Sequence, residues 1–71
     1  MEVLVFKTNI NHENDLDFIG PILDVNPLVL KWNVDREDID KVLRVETEEI
    51  APGKVIEIIS DAGYFCEELP D

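Results

Sequence analysis

The chain has 71 residues, 45% of them apolar, and sets six Lys and Arg against seventeen Asp and Glu for a net charge of -11. That apolar share excludes a disordered acidic tail, whereas a chain this short buries only about 60% of its unfolded surface and supports one modest core. No apolar run approaches the ~20 residues of a membrane span, the acidic balance opposes nucleic acid and anionic membranes, and Met1-Glu2-Val3 lacks the basic opening of a signal peptide. The expectation is one cytoplasmic domain over residues 1–71. A single cysteine, Cys66, excludes an internal disulfide and any site built from several thiolates of this chain.

Val3-Leu4-Val5-Phe6 is a continuous apolar run, which suits a central strand covered on both faces. Polar residues 8 to 14 lead into a helical pattern carried by Leu16, Ile19 and Leu23, with Asp15 and Asp17 where a helix N-terminus favours negative charge. Gly20-Pro21 predicts a kinked or irregular second half. Leu28, Leu30, Trp32 and Val34 alternate with Val29, Lys31 and Asn33, which predicts a half-buried strand with Trp32 inward. A polar turn around Ile39 joins it to a return strand over residues 41 to 46, with Leu43 and Val45 facing one way and Val42 and Arg44 the other. Residues 31 to 45 are neutral, with four bases against four acids, so the net charge lies outside this hairpin.

Pro52 fits the first position of a second helix whose stripe is Val55, Ile58, Ile59 and Ala62, closed by Gly63. Ile50 is placed to staple onto Val55, while Ala51 is a poor cap. Residues 64 to 69 predict a final strand, with Glu67 and Glu68 opposing edge-to-edge association. The order β-α-β-β-α-β in so few residues specifies an α+β, ferredoxin-like sandwich. Its four-stranded antiparallel sheet carries both helices on one face, with the first and third strands central.

Val34-Asp35, the segment Ile59-Ser60-Asp61-Ala62-Gly63-Tyr64 and the following Glu67-Glu68-Leu69 resemble the heavy-metal-associated (HMA) domain family. That family includes small copper chaperones and the N-terminal modules of metal-transporting ATPases. The family holds soft metal ions in a Met-x-Cys-x-x-Cys loop between the first strand and first helix. Matching Ile19 and Leu23 to its helix positions puts Ile10 where the Met stands and His12 and Asp15 where the two cysteines stand. Both thiolates are missing, and soft monovalent copper prefers sulfur, so the resemblance implies the scaffold without its metal site. It also implies that Tyr64 lies near the loop, and that a protein partner docks near Ile10, His12 and Tyr64.

Two chemistries compete for the loop. His12, Glu13 and Asp15 combine the only imidazole with two carboxylates, the makings of a weak divalent-metal site. The same residues are ordinary helix caps and dipole partners, and a helix N-terminus opposes a cation. Cys66 as a nucleophile has only His12 as a base, and its expected place beside Phe6 makes it a buried, inert thiol. No carboxylate pair or phosphate-binding glycine loop stands out, so an enzyme is not expected and no cofactor is required. Because helices cover one sheet face only, one of the pairs Val3/Val5 and Leu4/Phe6 must face outward. With Val29 and Val42 it forms an apolar patch for self-association or a protein partner. Val3 and Val5 are the candidates there.

Overall fold

The structure is a computed structural model that describes residues 2–70. Its elements are β1 (Glu2–Thr8), α1 (Glu13–Asp24), β2 (Val29–Asp35), β3 (Val42–Thr47), α2 (Pro52–Asp61) and β4 (Cys66–Glu68). The strands form one antiparallel sheet in the order β2-β3-β1-β4, so β1 and β3 are central and the expected topology is realised. Neither helix is long and apolar enough to cross a membrane.

Strand β1 resolves its own ambiguity by burying Leu4, Phe6 and Thr8 beneath the helices and turning Val3 and Val5 outward. Leu43, Val45 and Thr47 join them from β3, Ile19 and Leu23 from α1, and Val55 and Ile59 from α2. Ile50 is buried beside Val55 in the same cluster, as the staple requires. Each fully buried aliphatic or aromatic side chain contributes about 1.5–3 kcal/mol of transfer free energy. Among the described residues this cluster forms the hydrophobic core.

Strand β2 departs from simple alternation. Val29 pairs with Thr47 but Lys31 pairs with Glu46, so a bulge sets Leu30 out of register. Trp32 and Val34 therefore pack on the core as expected, and so does Val29, which alternation places on the open face. Leu28 precedes the strand, and both it and Leu30 are exposed. The extra residue flips the phase, which no hydropathy pattern signals.

Two buried threonines close the ends of the central strands. The Thr8 hydroxyl donates to the Lys41 carbonyl and accepts the Ile10 N–H (3.2 Å). The Thr47 hydroxyl donates to the Leu28 carbonyl (2.6 Å) and accepts the Ile50 N–H (3.2 Å). Among the described residues no buried side-chain polar atom lacks a partner. Lys41, in the left-handed region at φ 47°, anchors the hairpin turn with its N–H on the Asp38 carbonyl (3.0 Å) and Nζ on the Arg36 carbonyl (2.8 Å).

Helix α1 runs through Pro21 to Asp24 as one helix. The buried Gly20 next to that proline has a separate role, because a Cβ there would lie 3.3 Å from Cζ2 of Trp32. The indole lies across this gap and donates its Nε1–H to Asp24 (2.8 Å), joining α1 to β2. Helix α2 ends in a reverse turn at Gly63, where φ is +96°. Gly63 N–H donates to the Ser60 carbonyl (3.0 Å) and Tyr64 N–H to the Ile59 carbonyl (3.2 Å), the paired bonds of a Schellman cap.

Because a Cβ at Gly63 is opposed by its positive φ, Gly63→Ala is expected to destabilise the fold by about 1–2 kcal/mol. Gly53, on the first turn of α2 with nothing within 4 Å of a built Cβ, is the control. Gly53→Ala is expected to be neutral or stabilising by up to about 1 kcal/mol. Urea unfolding of the two variants checks the contrast, and equal effects contradict it.

Candidate functional site

The loop between β1 and α1 is built around one carboxylate. Asp15, the third residue of α1, turns its side chain back over the helix start, where Oδ2 accepts the N–H of His12 (3.0 Å) and of Asn11 (3.3 Å). This is the returning half of a capping box. Its other oxygen, Oδ1, accepts the Tyr64 hydroxyl (2.8 Å) across 49 residues of sequence. The Schellman cap of α2 is what aims Tyr64 at this point. Asn9 adds a second tie, its Oδ1 accepting the Phe65 N–H (2.9 Å).

These bonds set the electrostatics. The Tyr64 hydroxyl, then the His12 and Asn11 amides, hold the Asp15 carboxyl below the usual carboxylate range. The same bond, followed by burial and the negative charge of Asp15, pushes the Tyr64 hydroxyl up. Each group stabilises the form of the other that dominates at neutral pH.

The expected site residues are divided among different tasks. His12 is exposed as the N-cap of α1, Glu13 is exposed, and Asp15 is half-buried with both oxygens engaged. Among the described residues no group of three or more His, Cys, Asp or Glu side chains is placed to hold a metal ion. Of the set His12, Glu13 and Asp15, Asp15 has both carboxylate oxygens already engaged, one by the cap and the other by Tyr64. Ile10, expected to face a partner, is fully buried in the core and offers no surface. Tyr64 lies against the loop, half-buried. Val3 and Val5 lie on the open sheet face, remote in sequence and register from this loop.

Cys66 stands opposite Thr8 in the β1–β4 register, while Phe6 faces Glu68, so the thiol lies two residue pairs nearer the loop than expected. The short β4 begins at Cys66 itself, which shifts the pairing by two residues. The thiol is buried, and burial pushes its pKa up to about 11.

Phe18 and Phe65 escaped the sequence reading. Phe18, 55% exposed, stacks at a tilt on Tyr64 with ring centroids 6.3 Å apart. Phe65 is 48% exposed beside Asn9. The i, i+3 spacing of Asp15 and Phe18 was the available signal, since both must lie on one helix face. Together with His12 they make the rim of the loop partly aromatic.

The whole fold is shared with solved copper-binding domains. The Ccc2a domain of the yeast copper transporter, determined in solution in apo and Cu(I)-loaded states, matches with a TM-score of 0.83 and 19% identity over 100% of this chain and 99% of that one. A chain of the Atx1-Cu(I)-Ccc2a complex gives 0.84 at 20% identity, with 100% and 99% covered. A structure from work on crosstalk between Cu(I) and Zn(II) homeostasis gives 0.82 at 15% identity, with 97% and 100% covered. No family model and no curated protein matches the sequence. At these identities the likeness establishes the fold, a ferredoxin-like sandwich of the kind those copper domains use.

Two outcomes are expected from this geometry. Asp15 has a lowered folded pKa, so its contribution is full above the unfolded value of about 4 and is lost as pH falls through the folded value. Tyr64→Phe is therefore expected to lower Tm at pH 7, with the gap to the parent narrowing below about pH 4. A pH-independent gap in thermal scans contradicts the bond. With a thiol pKa of about 11, about one Cys66 in 10,000 is ionised at pH 7. Native protein is expected to resist thiol reagents for hours and to react at once in denaturant.

Proposed function

We propose that the chain is a non-enzymatic, HMA-like domain that has exchanged the thiolate site for a hydrogen-bonded cap and uses the loop end to contact a protein. The observation that carries this reading is Asp15. At a position that the resemblance assigns to a metal-binding thiolate stands a carboxylate with one oxygen on two backbone amides and the other on Tyr64.

The donor set does not fit monovalent copper. Ile10 is apolar and buried, His12 is a single imidazole, and Asp15 is a hard and engaged oxygen donor. The chain's only thiol is buried on β4. The fold likeness to the Ccc2a domain and to its complex with Atx1 supports a role in protein contact. The exposed His12 and the aromatic rim of Phe18, Tyr64 and Phe65 supply contact surface at that end. Burial holds the thiol in its neutral form, which disfavours it as a nucleophile.

The test restores what the loop lacks. In competition with a Cu(I) indicator, the native chain is expected to take up no stoichiometric Cu(I). The double variant His12→Cys/Asp15→Cys is expected to gain at least about 1,000-fold in affinity, from the preference of soft copper for thiolates. Stoichiometric binding by the native chain with an affinity near that of the double variant contradicts the reading. So does saturable, His12-dependent binding of Zn(II) or Ni(II) at micromolar concentrations, which instead supports a metal-carrying role for His12.

A further inference from the structure

The open face of the sheet differs in charge from the rest of the molecule. Leu4, Phe6, Leu43 and Val45 point to the helices, so the alternate residues of each strand point away. In register they form rows across the sheet. Lys31, Glu46 and Val3 make one row and Asn33, Arg44 and Val5 another, on either side of the inward row of Trp32, Val45 and Leu4. Lys7 and Glu67 face each other nearer the loop end, and Asp35 stands opposite Val42.

The outward phase thus carries Lys7, Lys31 and Arg44 against Asp35, Glu46 and Glu67, a net of zero. The remaining surface holds the other three bases and fourteen acids, which is the entire -11. This face is therefore free of the net charge that makes copies of this chain repel one another. The face also has apolar surface to cover: Val3 is 46% exposed and Val5 is half-buried.

Of its charges Lys7 is paired, with Asp40 (3.6 Å), while Lys31, Arg44 and Glu46 take part in neither that ion pair nor Lys54–Glu57 (3.9 Å). Arg44 and Glu46 are each half-buried on the central strand β3, two residues apart.

We propose that the open sheet face is a homodimer interface, in which a two-fold axis over the row Trp32, Val45 and Leu4 sets Arg44 of each copy against Glu46 of the other. The symmetry does the matching. An axis lying along the sheet surface and across the strands at that row reverses strand direction and exchanges the two flanking rows. One operation then places Arg44 on the second copy's Glu46 twice, Val3 on Val5 twice and Lys31 on Asn33 twice. Such a contact is isologous, as a closed dimer requires. Packed sheets lie about 10 Å apart and cross near 30°, a rotation that leaves residues near the axis in contact. The acids of the two helix layers lie behind the sheets, separated by more than the ~8 Å screening length at physiological salt. The surface is independent of the loop and of the role proposed for it.

Sedimentation equilibrium of the 71-residue chain up to about 1 mM tests the interface. A weak dimer is expected, with a Kd of about 10–1,000 µM, because the apolar centre is small. By symmetry Arg44→Glu or Glu46→Arg alone turns two attractions into two repulsions and is expected to weaken the dimer at least 10-fold. The double variant Arg44→Glu/Glu46→Arg is expected to restore it to within about 3-fold, and the two single variants mixed together are expected to pair with each other. Circular dichroism confirms that each variant is folded. Val3→Asp, which leaves the charged pair in place, is expected to abolish association. A strictly monomeric parent at 1 mM overturns the proposal. It is equally overturned by a dimer whose Kd ignores the charge swap and Val3→Asp, since that dimer uses another surface.

Discussion

Everything in this molecule follows from the sheet having one covered side. Strand β1 is apolar at four consecutive positions, but two helices can blanket only one face, so Leu4 and Phe6 take the interior and Val3 and Val5 do not. The interior then recruits Ile10 from the loop, Ile50 from the second crossover and Trp32 from β2. Each recruitment fixes a connection. Ile10 draws the loop down onto the core, which brings Asp15 within reach of Tyr64, and Trp32 fits across α1 only because residue 20 has no side chain. A core this small has no redundancy, so the geometry of its loops is set by the same few side chains that hold it together.

One carboxylate joins the loop to the helix start and to the far end of the chain, using hydrogen bonds to two amides and to a phenol. Carboxylates suit a helix N-terminus, where the backbone dipole favours negative charge, whereas they suit a soft cation poorly. The Asp15 carboxylate is thus well placed for structure and is a poor donor for monovalent copper.

Much of this was legible in the sequence. Element order, the central position of the first and third strands, the acid at Asp15 near the start of α1 and the Gly63 terminator all rest on local patterns that survive folding. What was not legible depended on contacts across the chain or on a single extra residue. The bulge at Leu30 leaves no trace in composition, yet it moves Val29 from the open face to the core. The pairing of Cys66 with Thr8 follows from where a three-residue strand begins, and a boundary error of two residues is enough to misplace it. Ile10 was read as partner-facing because the resemblance places it at the Met position of the loop, but the N–H of Ile10 on the Thr8 hydroxyl holds it inward. The bond from Tyr64 to Asp15 spans 49 residues, and only the family resemblance hinted at their proximity.

The two buried threonines bear on how the molecule comes apart. Thr8 joins the end of β1 to a carbonyl 33 residues away, and Thr47 joins the end of β3 to one 19 residues away, at opposite ends of the sheet. Each hydroxyl also holds the first turn of the crossover that follows it. Opening either end therefore exposes a buried hydroxyl and two backbone groups at once. Each lost bond costs about 1 kcal/mol, so the Ile10 and Ile50 amide protons are expected to exchange more slowly than those of loop residues without such a partner.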